Sequence, residues 1–146
     1  MAPLFDSYVM VDWSAAAVPR LGKDSIWIAC FDRGGAMLLE NPPTRAEATA
    51  RLTELLLARP GRVLAGFDFP HGYPAGFAAR LAPEQPDWAG VWASLAARLN
   101  DRDDNGNDRF LMAGAINTQL AGEEGWPFWG CPQGRMVPSL FPDKRA

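Results

Sequence analysis

Tyr8-Val-Met-Val-Asp12-Trp-Ser14 and Arg62-Val-Leu-Ala-Gly-Phe-Asp68-Phe-Pro70 are the two stretches whose reading decides the fold. Each is a short apolar run closed by an aspartate, the pattern of a strand whose C-terminal end opens onto a site. A carboxylate at the end of a buried strand has to be hydrogen-bonded, paired or metal-bound, because an isolated buried charge costs several kcal/mol or more. The repeated placement makes Asp12 and Asp68 candidates for one shared site. Their carboxylates are expected to approach within about 8 Å, near enough to share or bridge metal ions and water.

The chain between them reads as an antiparallel hairpin and a helix. Residues 25–31 are strand-like, Asp32-Arg-Gly-Gly35 is a turn, and Ala36-Met-Leu-Leu-Glu40 returns as the next strand. Asn41-Pro-Pro43 breaks the pattern. Thr44-Arg-Ala-Glu47 then has capping-box spacing, in which the hydroxyl and the carboxylate each satisfy a free amide of the first helical turn. Ala48, Leu52, Leu55 and Leu56 recur at helical spacing, so that face is expected to pack on the sheet until Pro60-Gly61. The order strand, hairpin, helix, strand sets the Asp68 strand beside the Asp12 strand if the crossover is right-handed, as nearly all are.

Beyond the second aspartate the sequence turns helical and Trp-rich. Residues 74–81 suggest a short helix, Asp87 is placed to cap a helix over 88–99, and Asp108 to cap one over 109–120. Residues 125–146 are rich in Gly, Pro and aromatics without periodicity, and read as an extended arm.

Composition bounds the rest. The chain has 146 residues, 48% hydrophobic and 21% charged, which suits one soluble globular domain with a real core. A net charge of −3 gives no overall basic footprint, so tight non-specific nucleic-acid binding is not indicated. Cys30 and Cys131 match no metal, redox or disulfide spacing, which suggests a reducing cytoplasm. No signal-like leader and no run of about 18 apolar residues is visible, so neither secretion nor a membrane is expected.

The Val-Asp12-Trp-Ser14 strand end, the hairpin, the helix with Glu47 in its first turn and the Phe-Asp68-Phe-Pro70 strand end together resemble the ribonuclease H-like fold. More narrowly, they look like its bacterial branch of predicted nucleases of unknown function. The resemblance covers residues 6–75, the core of a single expected domain over 1–146, with 76–146 as a helical and aromatic extension. It implies that carboxylates on the first strand, first helix and fourth strand, here Asp12, Glu47 and Asp68, bind two Mg²⁺ or Mn²⁺ ions. The fold normally adds an acidic residue from a C-terminal helix after a fifth strand. No such strand and helix are legible here, which implies a fragment, a truncated reading frame or a degenerate member. Part of Trp126-Pro-Phe-Trp129-Gly-Cys-Pro132 is similar to a subgroup in which some proteins carry cofactor-biosynthesis labels.

Each candidate has an ordinary reading beside the functional one. Asp12 and Asp68 would otherwise cap loops or accept backbone hydrogen bonds. Glu47 is fully explained by its capping box. His71, the only histidine, suits a proton shuttle or a phosphate contact, or is simply a polar turn residue. Asp101-Arg-Asp103-Asp104-Asn105-Gly106 opens like a calcium loop, but Met112 stands where the bidentate glutamate belongs, so it reads as a solvated loop, or as the source of a further carboxylate if it folds back. Ser14 and Lys23 flank the first loop as in an actin-like ATPase, yet no glycine-rich cradle follows Asp12, and no Gly-x-Ser-x-Gly elbow surrounds Ser14. Trp88 and Trp92, one helical turn apart, suit a core or partner surface better than a base-stacking platform, and Trp126 and Trp129 suit a lid or a docking arm.

The sequence therefore predicts an α/β, ribonuclease H-like mixed sheet. Its expected function is that of a Mg²⁺- or Mn²⁺-dependent phosphodiester hydrolase using Asp12, Asp68 and Glu47 as ligands, His71 as an auxiliary group and metal-activated water as nucleophile. The partner would be a nucleic acid or a phosphorylated small molecule. The second reading is a catalytically silent binding or assembly domain, a homo-oligomer through its aromatic arm. The third is an actin-like ATP-dependent phosphotransferase.

Overall fold

Alternation of Val9 and Val11 with Tyr8, Met10 and Asp12 makes the first strand, and the same period recurs in Ile28 and Cys30. A computed structural model describes residues 4–69 and 72–144. Its elements are β1 (Ser7–Asp12), β2 (Trp27–Asp32), β3 (Met37–Glu40), α1 (Arg45–Ala58), β4 (Val63–Phe67), α2 (Phe77–Leu81), α3 (Trp88–Arg98) and α4 (Arg109–Ala121), with a 3₁₀ turn over Gly122–Glu124. The chain divides into two compact units. One is Met1–Pro70 with Asp101–Gly106, and the other is His71–Asn100 with Asn107–Ala146.

The first unit is a mixed four-stranded sheet in the order β3-β2-β1-β4, antiparallel except for the parallel pair β1 and β4. One sheet face, Val9, Val11, Ile28 and Cys30, is buried with Ile26 against Ala48, Leu52 and Leu55 of α1. Each such aliphatic side chain taken from water contributes about 1.5–3 kcal/mol. Leu56, expected on this face, is instead exposed, because one residue further round the helix turns it off the sheet. Thr44 caps α1 by accepting the Glu47 N–H at 3.1 Å, but the Glu47 carboxylate meets the Thr44 hydroxyl at 3.3 Å in place of a backbone amide.

The opposite sheet face is apolar and uncovered. Register aligns Leu39, Ala29, Met10 and Gly66 in one row across the strands, and Met37, Phe31, Tyr8 and Leu64 in the next. Met10, Phe31, Leu39 and Leu64 are exposed, and Met37 retains 78% of its surface. Gly66 leaves room for the Met10 side chain, whose terminal methyl would stand 2.9 Å from any Cβ added there.

The second unit has its own core of Phe77, Leu81, Val91, Leu95, Ile116 and Leu120. Asp87 caps α3 as expected, accepting the Gly90 N–H at 2.9 Å. Asp108 does not cap α4 with its side chain, because that carboxylate accepts the Asn100 N–H at 2.9 Å. The arm after α4 is tied down by fully buried Asn117. Its Nδ2 donates to the carbonyls of Phe128 (2.8 Å) and Ser139 (2.7 Å), and its Oδ1 accepts the Phe128 N–H at 2.9 Å.

Candidate functional site

Parallel pairing of β1 with β4 sets Val11 opposite Phe67, and the Asp68 N–H extends the ladder by donating to the Val11 carbonyl at 3.3 Å. Asp12 and Asp68 therefore leave adjacent strands at the same level. The Asp68 Oδ1 accepts the Trp13 N–H at 2.9 Å, and the two carboxyl groups lie within hydrogen-bonding reach of each other. The pKa of Asp12 is raised, first by lost hydration and then by its hydrogen bond to Asp68 and the negative charges of Asp68 and Asp24. A proton is thus easier to hold on Asp12 than on a free aspartate.

The strand ends are not buried as the sequence suggested. Asp12 and Asp68 are exposed, since β4 is an edge strand and no element of the unit covers that sheet face. Their surroundings are nonetheless largely apolar. A cavity of about 300 Å³ beside the pair is walled by Met10, Trp27, Ala29 and Phe67. Trp13, Phe67 and Phe69 form an edge-to-face and tilted cluster, with centroids 5.2–6.5 Å apart, that brackets the Asp68 backbone.

Glu47 does not complete a triad. Its carboxylate is engaged with Thr44, and among the described residues no three His, Cys, Asp or Glu side chains gather as a metal-binding group. The donor set at the strand ends is the Asp12–Asp68 pair. That set fits one hard cation such as Mg²⁺, which takes one or two carboxylates and fills its remaining positions with water and phosphate oxygens. His71 lies outside the described residues.

The loop after Asp12 is held by residues whose role the sequence did not reveal. Arg45 is buried and pairs in a fork with Asp101, Nε to Oδ2 at 2.9 Å and Nη2 to Oδ1 at 2.5 Å. Its Nη1 donates to the Ala16 carbonyl at 2.9 Å and to that of Ser14 at 3.4 Å, and its Nη2 to that of Asn105 at 2.6 Å. Asn105, buried with φ +70°, returns an acceptor to the Arg45 N–H at 2.7 Å and donates to the carbonyls of Val18 and Pro43. The segment that opens like a calcium loop is therefore a clasp. It folds back on the first unit, as one reading of the sequence allowed, but Asp101 is spent on Arg45. Ser14 is likewise engaged, donating to the Asp24 carbonyl at 3.1 Å and accepting the Ala16 N–H at 3.2 Å. The sequence signal for the clasp was faint: a helix-start arginine and an Asn-Gly turn separated by a long stretch of chain.

Among the described residues no helix is long and apolar enough to cross a membrane, and both cysteines are free and buried. No protein-family model, curated protein or solved structure matches the chain.

Proposed function

We propose that the chain is a ribonuclease H-like, divalent-metal-dependent phosphodiester hydrolase, with Asp12 and Asp68 as the ligands. The observation that carries this reading is the pairing of two carboxylates at the C-terminal ends of adjacent parallel strands, one of them with a raised pKa. The placement of β4 beside β1 supports it, being the neighbourhood expected from a right-handed crossover. A bound Mg²⁺ or Mn²⁺ would neutralise phosphoryl oxygens and make water a better nucleophile. The protein's own part is positional. The Trp13 N–H orients the Asp68 carboxylate, the clasp holds the loop that follows Asp12, and lost hydration together with the neighbouring Asp68 makes Asp12 easier to protonate than a free aspartate.

The test is cleavage of a mixed panel of single-stranded, duplex and hybrid nucleic acids by the purified chain with Mn²⁺. Activity lost in Asp68→Asn, with the fold retained by circular dichroism, is the expected result. No Mn²⁺-dependent cleavage of any member overturns it.

The uncovered apolar sheet face favours a second reading, a silent assembly domain whose sheet docks on another chain. Self-association of the wild-type chain, together with absent cleavage, would select it.

A further inference from the structure

The second unit carries a cavity of about 930 Å³ that the hydrolase reading does not use. Arg80 of α2 forms part of its wall. The guanidinium carbon lies 4.9 Å from the centroid of the Trp126 ring, and Nη2 donates to the Leu120 carbonyl in the last turn of α4. Stacking and a helix-end carbonyl together fix an arginine that is otherwise exposed. No carboxylate pairs with it among the described residues. Lys144 lines the same cavity, as does Trp129, which leaves 59% of its surface in solvent. Glu124 completes the polar lining.

The combination is chemically selective. A fixed guanidinium offers a planar fork to a phosphate, and an ammonium adds a mobile charge. An exposed indole offers a flat face on which a planar ring such as a nucleobase stacks. A carboxylate accepts hydrogen bonds from sugar hydroxyls and repels the phosphate towards the cations. The volume lies within the 300–1,000 Å³ or so of small-molecule sites.

We propose that this cavity is a binding site for a nucleoside monophosphate. The base stacks on Trp129, the ribose hydroxyls meet Glu124, and the phosphate sits between Arg80 and Lys144. The proposal is independent of Asp12 and Asp68 and requires no metal.

The experiment is a calorimetric titration of the full chain in EDTA with adenosine 5′-monophosphate, adenosine and inorganic phosphate as separate arms. The monophosphate should bind at least about tenfold tighter than either part, because ring and anion are held at once. Trp129→Ala should weaken the monophosphate and adenosine together, by about tenfold. Lys144→Gln should weaken the monophosphate and phosphate but spare adenosine. Arg80→Lys keeps the charge and removes the fork, and should lose affinity for the phosphate-bearing arms. Trp129 and Lys144 are surface positions whose substitution should leave circular dichroism unchanged, so they remain informative if Arg80 variants unfold. Absence of saturable monophosphate binding overturns the proposal. So does binding indifferent to Trp129→Ala and Lys144→Gln, or phosphate alone binding as tightly as the nucleotide.

Discussion

Asp12 titrates in a direction that can be checked without any substrate. Its raised pKa means that the folded protein keeps a proton which the unfolded chain has already released. Stability should therefore fall as pH climbs from the ordinary carboxylate value through the raised one. Asp12→Asn removes that decline, so urea denaturation across this range should show a flatter profile and, at neutral pH, equal or greater stability than wild type. Mn²⁺ at millimolar concentration should raise the melting temperature of wild type above that range, where Asp12 has released its proton, and have little effect below it. Glu40 works in the opposite sense. Arg51 grips it in a fork at 2.7 and 2.8 Å and lowers its pKa, so its contribution is present above the ordinary carboxylate value and lost as pH falls through the lowered one.

Arg45 and Asp101 should respond unequally to substitution. Arg45 is buried and its side chain serves five acceptor atoms, three of them carbonyls, so Arg45→Ala strands several carbonyls and should cost about 3 kcal/mol in denaturant titrations. Asp101 is 37% exposed at its side chain, and Asn keeps one acceptor there, so Asp101→Asn should cost only about 1 kcal/mol. Equal losses would mean that the ion pair, rather than the carbonyl contacts, carries the clasp.

At the scale of elements, α4 and the arm that follows it pack closely in the second unit. A Cβ on Gly114 would stand 2.5 Å from the Pro138 carbonyl oxygen and 2.6 Å from Val137 Cγ1. Gly114→Ala gains up to about 1 kcal/mol of helix propensity but drives the arm away, so a net loss of about 1–3 kcal/mol is expected, with faster proteolysis after residue 125. Elements marked by a local signal were legible in the sequence: the hairpin by its Gly-Gly turn, α1 by Thr44, α3 by Asp87. The arm was not, since its order comes from non-local contacts such as those of the buried Asn117 on a neighbouring helix, and an Asn inside a helical pattern announces nothing about distant carbonyls. Asp108 misled for a related reason. Its carboxylate had a second amide within reach, that of Asn100, and local pattern cannot rank two acceptable partners.

For the whole molecule, the pairing of Asp12 with Asp68 was legible because period-two alternation and crossover handedness bear on the sheet itself. Exposure was not, because covering a sheet face depends on which elements lie over it. The two apolar rows through Met10 and Phe31 carry a testable consequence. Met37→Lys and Leu39→Lys alter only exposed positions and should leave melting within about 0.5 kcal/mol of wild type. If the face drives self-association, the same pair should shift sedimentation towards the monomer; wild-type protein that is already monomeric at high concentration would dismiss the assembly reading.

The clasp also bears on how the protein emerges from the ribosome. The chain leaves the first unit at Pro70 and comes back to it only at Asp101–Gly106. At about 5–20 residues per second, roughly two to seven seconds of translation separate β4 from the clasp. During that interval the sheet and α1 exist with the Arg45 guanidinium still lacking Asp101 and the carbonyl of Asn105. The loop after Asp12 consequently stays loose until the clasp arrives. Nascent chains arrested with residues up to 100 outside the ribosome should be cut by protease within 13–24, and those long enough to expose residue 106 as well should resist.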